Sequence, residues 1–88
     1  MTPNDKQRIK DAFNKAMQRD PKGADEPFML EGLATPLTSR EVLNNTLNSQ
    51  QFYEGIEKAI TSGQRTLDQF VADFEKIKLP LVRKAPKP

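Results

Sequence analysis

The sequence predicts an all-α protein: a small bundle of three to four short helices with a flexible basic C-terminal tail. Three observations support this prediction. The chain has 88 residues, which is enough for one domain only. Apolar residues recur at intervals of three and four in several stretches, as they do on one face of a helix. Pairs of residues that are spaced for helix-capping boxes stand at the start of two of these stretches.

The first predicted element is a helix that begins after Thr2 and ends before Pro21. The Thr2 hydroxyl can cap a helix, and Pro3 suits the first turn because a first-turn N–H has no partner within the helix. We expect this helix to pack more loosely than the rest of the bundle. Its apolar residues are spaced for one face: Ile9, Phe13, Ala16 and Met17.

Residues 20–36 are expected to connect this helix to the rest of the fold. They contain three prolines and two glycines, which interrupt the backbone too often for a long element. Their apolar side chains nevertheless need cover, either in one short helix that begins at Pro27 or in an apolar loop laid over the other helices. These residues are Phe28, Met29, Leu30 and Leu33.

The middle of the chain is predicted to form two helices, at about 39–47 and 49–62, because the apolar residues of its two halves are out of phase. Thr38 and Glu41 are spaced for a capping box at the start of the first of these helices. Gly55 lies inside the second, where glycine costs about 1 kcal/mol relative to alanine. It marks either a close helix crossing or a chance occurrence.

The clearest helical pattern lies between Thr66 and Lys78. Thr66 and Gln69 are spaced for a capping box, and Pro80 disfavours helical backbone at Leu79. The apolar residues of this helix recur on one face: Leu67, Phe70, Val71, Phe74 and Ile77.

These elements divide the chain into three parts. Residues 1–35 form the N-terminal helix and the Pro/Gly-punctuated connector, and residues 36–78 form the helical core. Residues 79–88 contain three prolines and are expected to be a disordered basic tail.

Charge is distributed unevenly along the chain, whose net charge is +2. Residues 1–22 carry +3, residues 23–75 carry −6 and residues 76–88 carry +5. The longest apolar run is three residues, far short of the roughly 20 that cross a bilayer. The sequence therefore predicts a cytoplasmic protein without a membrane segment.

Catalysis and metal binding are not expected. The chain contains neither histidine nor cysteine, which removes the most common general base and the thiolate ligands. A Ser–Lys pair, Ser62 with Lys58, is interpreted as an exposed helix end. Asp25, Glu26 and Glu31 do not match a calcium-binding loop. We therefore expect no enzyme activity, no metal, no cofactor and no small-molecule substrate.

We expect the partner to be another protein, contacted through an acidic helical face formed by Tyr53, Glu54 and Glu57. The acidic middle of the chain is suited to a basic surface, and exposed aromatic side chains are common anchors in protein interfaces. Tyr53 adjoins Phe52, so both cannot face one core, and a phenol favours a wet edge. The role is then that of a small binding or regulatory protein.

Nucleic-acid binding is the alternative. Residues 37–59 faintly resemble a helix-turn-helix, and the basic ends of the chain could neutralise phosphates. The second helix of that motif would carry two glutamates, which would repel a duplex. The basic residues near the C-terminus that would supply the contact are Lys76, Lys78, Arg83, Lys84 and Lys87.

Overall fold

The computed structural model of the protein describes residues 1–81, and five α-helices make up the regular structure of this range. The all-α class is confirmed, but the helices number five rather than three or four, because a short helix forms inside the predicted connector. The five are α1 (Pro3–Arg19), α2 (Pro21–Asp25), α3 (Ser39–Leu47), α4 (Gln50–Thr61) and α5 (Leu67–Glu75).

Side-chain capping hydrogen bonds stand at the starts of α3 and α5, where the sequence places them, whereas α4 begins without one. The Thr38 hydroxyl accepts from the Glu41 N–H at 3.2 Å at the start of α3. Thr66 and Gln69 form a complete capping box at the start of α5, with both bonds near 3 Å. Each such cap satisfies backbone donors that the first turn leaves free.

The short helix α2 exists because Asp20 caps it directly after α1 ends. The Asp20 carboxylate accepts from the Gly23 N–H at 2.9 Å, and Pro21 fills the first helical position. Gly23 is buried, and a Cβ built on it would lie 2.5 Å from Asp20 Oδ2 and 2.8 Å from the Leu79 carbonyl oxygen. The end of the described chain therefore passes directly over α2.

The first helix is the centre of the core, so the expectation that it packs more loosely is wrong. Ile9 and Ala16 are completely buried, and α1 packs against α2, α3 and α5. By contrast, α5 contains no fully buried residue among those that the structure describes. The spacing of apolar residues predicts which face of a helix is buried, but not how many neighbours cover that face. The main buried cluster comprises Ile9, Phe13, Met17, Ala24, Leu43, Leu47, Tyr53 and Ile56.

Four phenylalanines join α1, α4 and α5. The rings of Phe13 and Phe74 are stacked at 4.4 Å, and Phe52 lies about 6 Å from both. Phe70 adds a tilted contact with Phe74 at 5.9 Å. This aromatic cluster attaches the partly exposed helix α5 to the centre of the core.

The chain after α5 returns across the fold before the described range ends. Arg19 donates hydrogen bonds to the carbonyls of Glu75 and Ile77, and Leu79 packs against the core. The Leu81 N–H donates to the hydroxyl of Ser39, a buried residue, at 2.8 Å. Residues 79–81 are thus docked, which differs from the expected start of a disordered tail at residue 79. The remainder of that predicted tail lies outside the described residues.

The connector between α2 and α3 is a loop rather than a helix that begins at Pro27. Phe28 and Leu37 form an antiparallel bridge, with both N–H to O distances at 2.8 Å. Phe28 is buried beneath this bridge, and residues 29–36 extend beyond it.

Candidate functional site

An open groove runs along the outer side of α4, where the sequence predicts a protein contact. Tyr53 and Ile56 point into the core and thereby turn the opposite face of α4 outward. The groove is wide open to solvent, and most of its surface is formed by carbon atoms of polar and charged side chains. We call this feature the α4 groove, and its lining residues are Glu54, Glu57, Lys58, Thr61 and Ser62.

The two glutamates of the α4 groove lie in different electrostatic surroundings. Glu57 forms an ion pair with the Met1 ammonium group, and its side chain is about half exposed. Glu54 is exposed and accepts a hydrogen bond from the neutral Gln50 side chain at 3.0 Å. A partner's cation can therefore approach Glu54 at a lower free-energy cost than Glu57, because it displaces a neutral amide rather than an ammonium group.

Tyr53 is a core residue, so the expectation that its phenol lies at a wet edge is wrong. It is only 6% exposed, and its hydroxyl donates to the Leu47 carbonyl at 2.6 Å. Leu47 is the last residue of α3, where carbonyls have no helical partner, so the turn into α4 supplies a buried acceptor. Burial raises the pKa of Tyr53 above its ordinary value. Of the predicted acidic face, only Glu54 and Glu57 reach the surface groove.

The hydroxyl of Ser62 takes part in the end of α4. Ser62 Oγ donates to the Ala59 carbonyl at 3.2 Å, and the Ser62 N–H donates to the Lys58 carbonyl at 3.0 Å. These contacts agree with the interpretation of Ser62 and Lys58 as a helix end.

The acidic residues near α2 are not gathered into a metal site. Asp25 binds Arg40 through two hydrogen bonds of 2.8 and 3.4 Å. The bonds from the Arg40 guanidinium, together with its charge, lower the pKa of Asp25. Within residues 1–81 no cluster of three potential metal ligands occurs.

Three of the five basic residues of α1 make exposed contacts with α5 or with the chain after it. Arg8 pairs with Asp68 at 2.6 Å, and Lys15 pairs with Glu75 at 3.2 Å. Arg19 donates to two carbonyls after α5. These contacts link α1 to α5 and the chain after it, and they leave less of the basic first helix for phosphate groups.

The basic residues of the alternative site are only partly within the described range. Lys76 and Lys78 are exposed just after α5. The other three, Arg83, Lys84 and Lys87, lie outside the described residues.

A second surface feature was not recognised as a site from the sequence. Residues 29–36, which we call the apolar loop, place three large apolar side chains in solvent. Met29 is 57% exposed, Leu33 45% and Leu30 38%. The sequence indicated that these side chains need cover, but within the described chain only the adjacent Phe28 receives it. The Pro and Gly residues on both sides of the run were the signal that it lies in a loop.

Comparison of the chain with protein-family models, with curated proteins and with solved structures finds no significant match. Within residues 1–81, none of the helices is both long enough and apolar enough to span a bilayer.

Proposed function

We propose that this protein is a non-catalytic binding protein with a regulatory role, and that it recognises a basic segment of another protein through the α4 groove. The observation that carries the proposal is that Glu54 and Glu57 both line the open α4 groove, where they outnumber its one cation, Lys58. A lysine or arginine side chain has matching chemistry, because its stem is aliphatic and its end is cationic.

The contact of Glu57 with an ammonium group supports this choice of partner. The Met1 amine binds this carboxylate, while the Met1 side chain packs against the core. The ammonium group thus contacts a carboxylate of the α4 groove, while the apolar side chain of the same residue packs against the protein. A partner lysine beside Glu54 would reproduce the same combination one helical turn away.

The experiment is a titration of the protein with oligolysine and oligoarginine peptides, in which binding is measured by the NMR chemical shifts of the backbone amides of α4. In the variant Glu54→Lys we expect binding to weaken about tenfold, because like charges are brought together. The matched control is Asp11→Lys, which changes the net charge equally. Asp11 also accepts from a glutamine four residues earlier, at 2.9 Å, as Glu54 does. Equal weakening by both variants would show a general charge effect and would contradict the α4 groove.

A second candidate function is DNA binding through the basic residues near the C-terminus. The exposure of Lys76 and Lys78 supports it, because both side chains are accessible next to a basic stretch of sequence. Titration with mixed-sequence duplex DNA at low and moderate salt tests this function. Salt-sensitive binding has to disappear when five residues are neutralised, namely Lys76, Lys78, Arg83, Lys84 and Lys87. Retained affinity in that variant would exclude the basic C-terminal residues as the contact.

A further inference from the structure

The apolar loop is closed at its neck by two backbone hydrogen bonds, and it contains an internal turn. The two bonds between Phe28 and Leu37 close the neck, and the buried Phe28 ring anchors it. At the tip, the Leu33 N–H donates to the Leu30 carbonyl at 3.1 Å. Gly32 has a φ of +88°, which a glycine adopts without strain. A loop that is already ordered loses little conformational entropy when it binds.

The exposed side chains of the loop form a concentrated apolar feature on a small protein. Four large apolar residues among those described are exposed, and three of them are in this loop. Each costs free energy while it is in water, at about 25 cal/mol per Å² of apolar surface. Exposed large apolar side chains that cluster within five consecutive positions, residues 29–33, are typical of an interaction site.

The charges around the loop specify the kind of partner. Residues 23–39 contain Asp25, Glu26 and Glu31 but neither lysine nor arginine. Arg40, the next basic residue, is bonded to Asp25. Glu26 and Glu31, both exposed, therefore place two carboxylates beside the apolar side chains, and carboxylates at such an edge attract a basic rim on a partner.

We propose that the apolar loop inserts its three exposed side chains into an apolar pocket on a partner protein, and that lysine or arginine at the pocket's rim faces Glu26 and Glu31. This surface shares no residue with the α4 groove, so the inference goes beyond the function proposed above. The loop supplies the buried anchors of the interface, and the two glutamates supply its polar rim.

The test selects peptides from a phage-displayed random library on the 88-residue protein and measures the affinity of the selected peptides after synthesis. We expect peptides that combine lysine or arginine with aromatic or branched aliphatic residues. Leu30→Ser should weaken their binding about tenfold, as the loss of a buried anchor does. Leu81→Ser is the matched control, because Leu81 has the same 38% exposure as Leu30. It should leave the affinity unchanged.

The charge component is tested separately with Glu31→Gln. This variant should weaken binding about twofold to fivefold at low salt, and the difference should shrink as salt is added. Unchanged circular dichroism and unchanged thermal unfolding of the loop variants show that the fold is intact.

Several results would overturn the inference. One is a selection in which no peptide depends on the apolar loop for its binding. If the selected peptides depend on Glu54 instead, the result would support the α4 groove alone. Another is binding to zwitterionic lipid vesicles that is lost in Leu30→Ser, which would assign the loop to a membrane surface. Self-association that is lost in the same variant would assign the loop to a second copy of this chain.

Discussion

Gly55 offers a direct test of how α4 is built and how its outer face is exposed. It is the sixth of twelve residues in α4, and it is exposed. Apart from its chain neighbours and the nearby backbone of its own helix, no heavy atom of the described residues lies within 4 Å of the position that a Cβ would take. The absence of a neighbour there also excludes a close helix crossing within the described fold. Gly55→Ala therefore adds helix propensity and adds no steric conflict. We expect the free energy of unfolding to rise by about 1 kcal/mol.

Alanine substitutions at two other glycines serve as controls, because they are expected to lower the free energy of unfolding rather than raise it. Gly63 has a φ of +78°, so Gly63→Ala places a side chain in the left-handed region at a cost of about 1–2 kcal/mol. Gly23→Ala drives a Cβ into Asp20 and the Leu79 carbonyl, so a capping side chain or the backbone has to move. Overpacking of this kind costs about 1–3 kcal/mol. One stabilising and two destabilising substitutions are expected from three chemically identical changes.

The assay is urea unfolding followed by circular dichroism, with thermal unfolding as a second measurement. A change of about 1 kcal/mol shifts Tm by roughly 4–8 °C in a domain of this size. The Gly55→Ala midpoint should rise with an unchanged m-value. A midpoint that stays the same or falls would refute the placement of Gly55 at an open position of a regular helix.

Four further predictions concern the core and the chain end. Tyr53→Phe removes the buried bond to the Leu47 carbonyl and should lower the free energy of unfolding by about 1–2 kcal/mol in urea titrations. Because burial raises the pKa of Tyr53, its contribution is complete below the unfolded pKa of about 10 and is lost as pH rises through the folded pKa. Tyr53 is the chain's one tyrosine and there is no tryptophan, so the absorbance of tyrosinate reports this titration directly. Ser39→Ala should cost about 1–2 kcal/mol and speed hydrogen exchange at the Leu81 amide, which loses its acceptor. Amides of α5 should exchange faster than those of α1, because α5 has no fully buried residue within the described fold. Uniform protection of both helices would contradict the peripheral position of α5.

The two proposed contact surfaces favour the same kind of partner. The α4 groove presents two carboxylates and one lysine, Lys58, and the apolar loop presents three apolar side chains beside two carboxylates. Both are complementary to a basic protein surface that contains apolar pockets. Variants of Glu54 and of Leu30 separate their contributions, because the two features have no residue in common.

The sequence by itself determined the helical class and most helix boundaries. Capping at Thr38 and Thr66 was predictable because each hydroxyl bonds to a backbone N–H only three residues away. The break between α3 and α4 was predictable from the change in phase of the apolar residues. These interactions join residues that are close together in the sequence, so they can be predicted without knowledge of the fold.

Tertiary structure decided which residues are buried and which surfaces remain open. Tyr53 is buried because the end of α3 brings the Leu47 carbonyl to its hydroxyl, and Ser39 is buried beside the returning chain at Leu81. Glu54 lines a groove because α4 turns its opposite face into a core centred on α1. The sequence also indicated that Leu30 needs cover, yet the chain folds Phe28 inward and leaves Leu30 exposed. These outcomes depend on contacts between residues far apart in the chain, and the spacing of apolar residues within one helix contains no information about them.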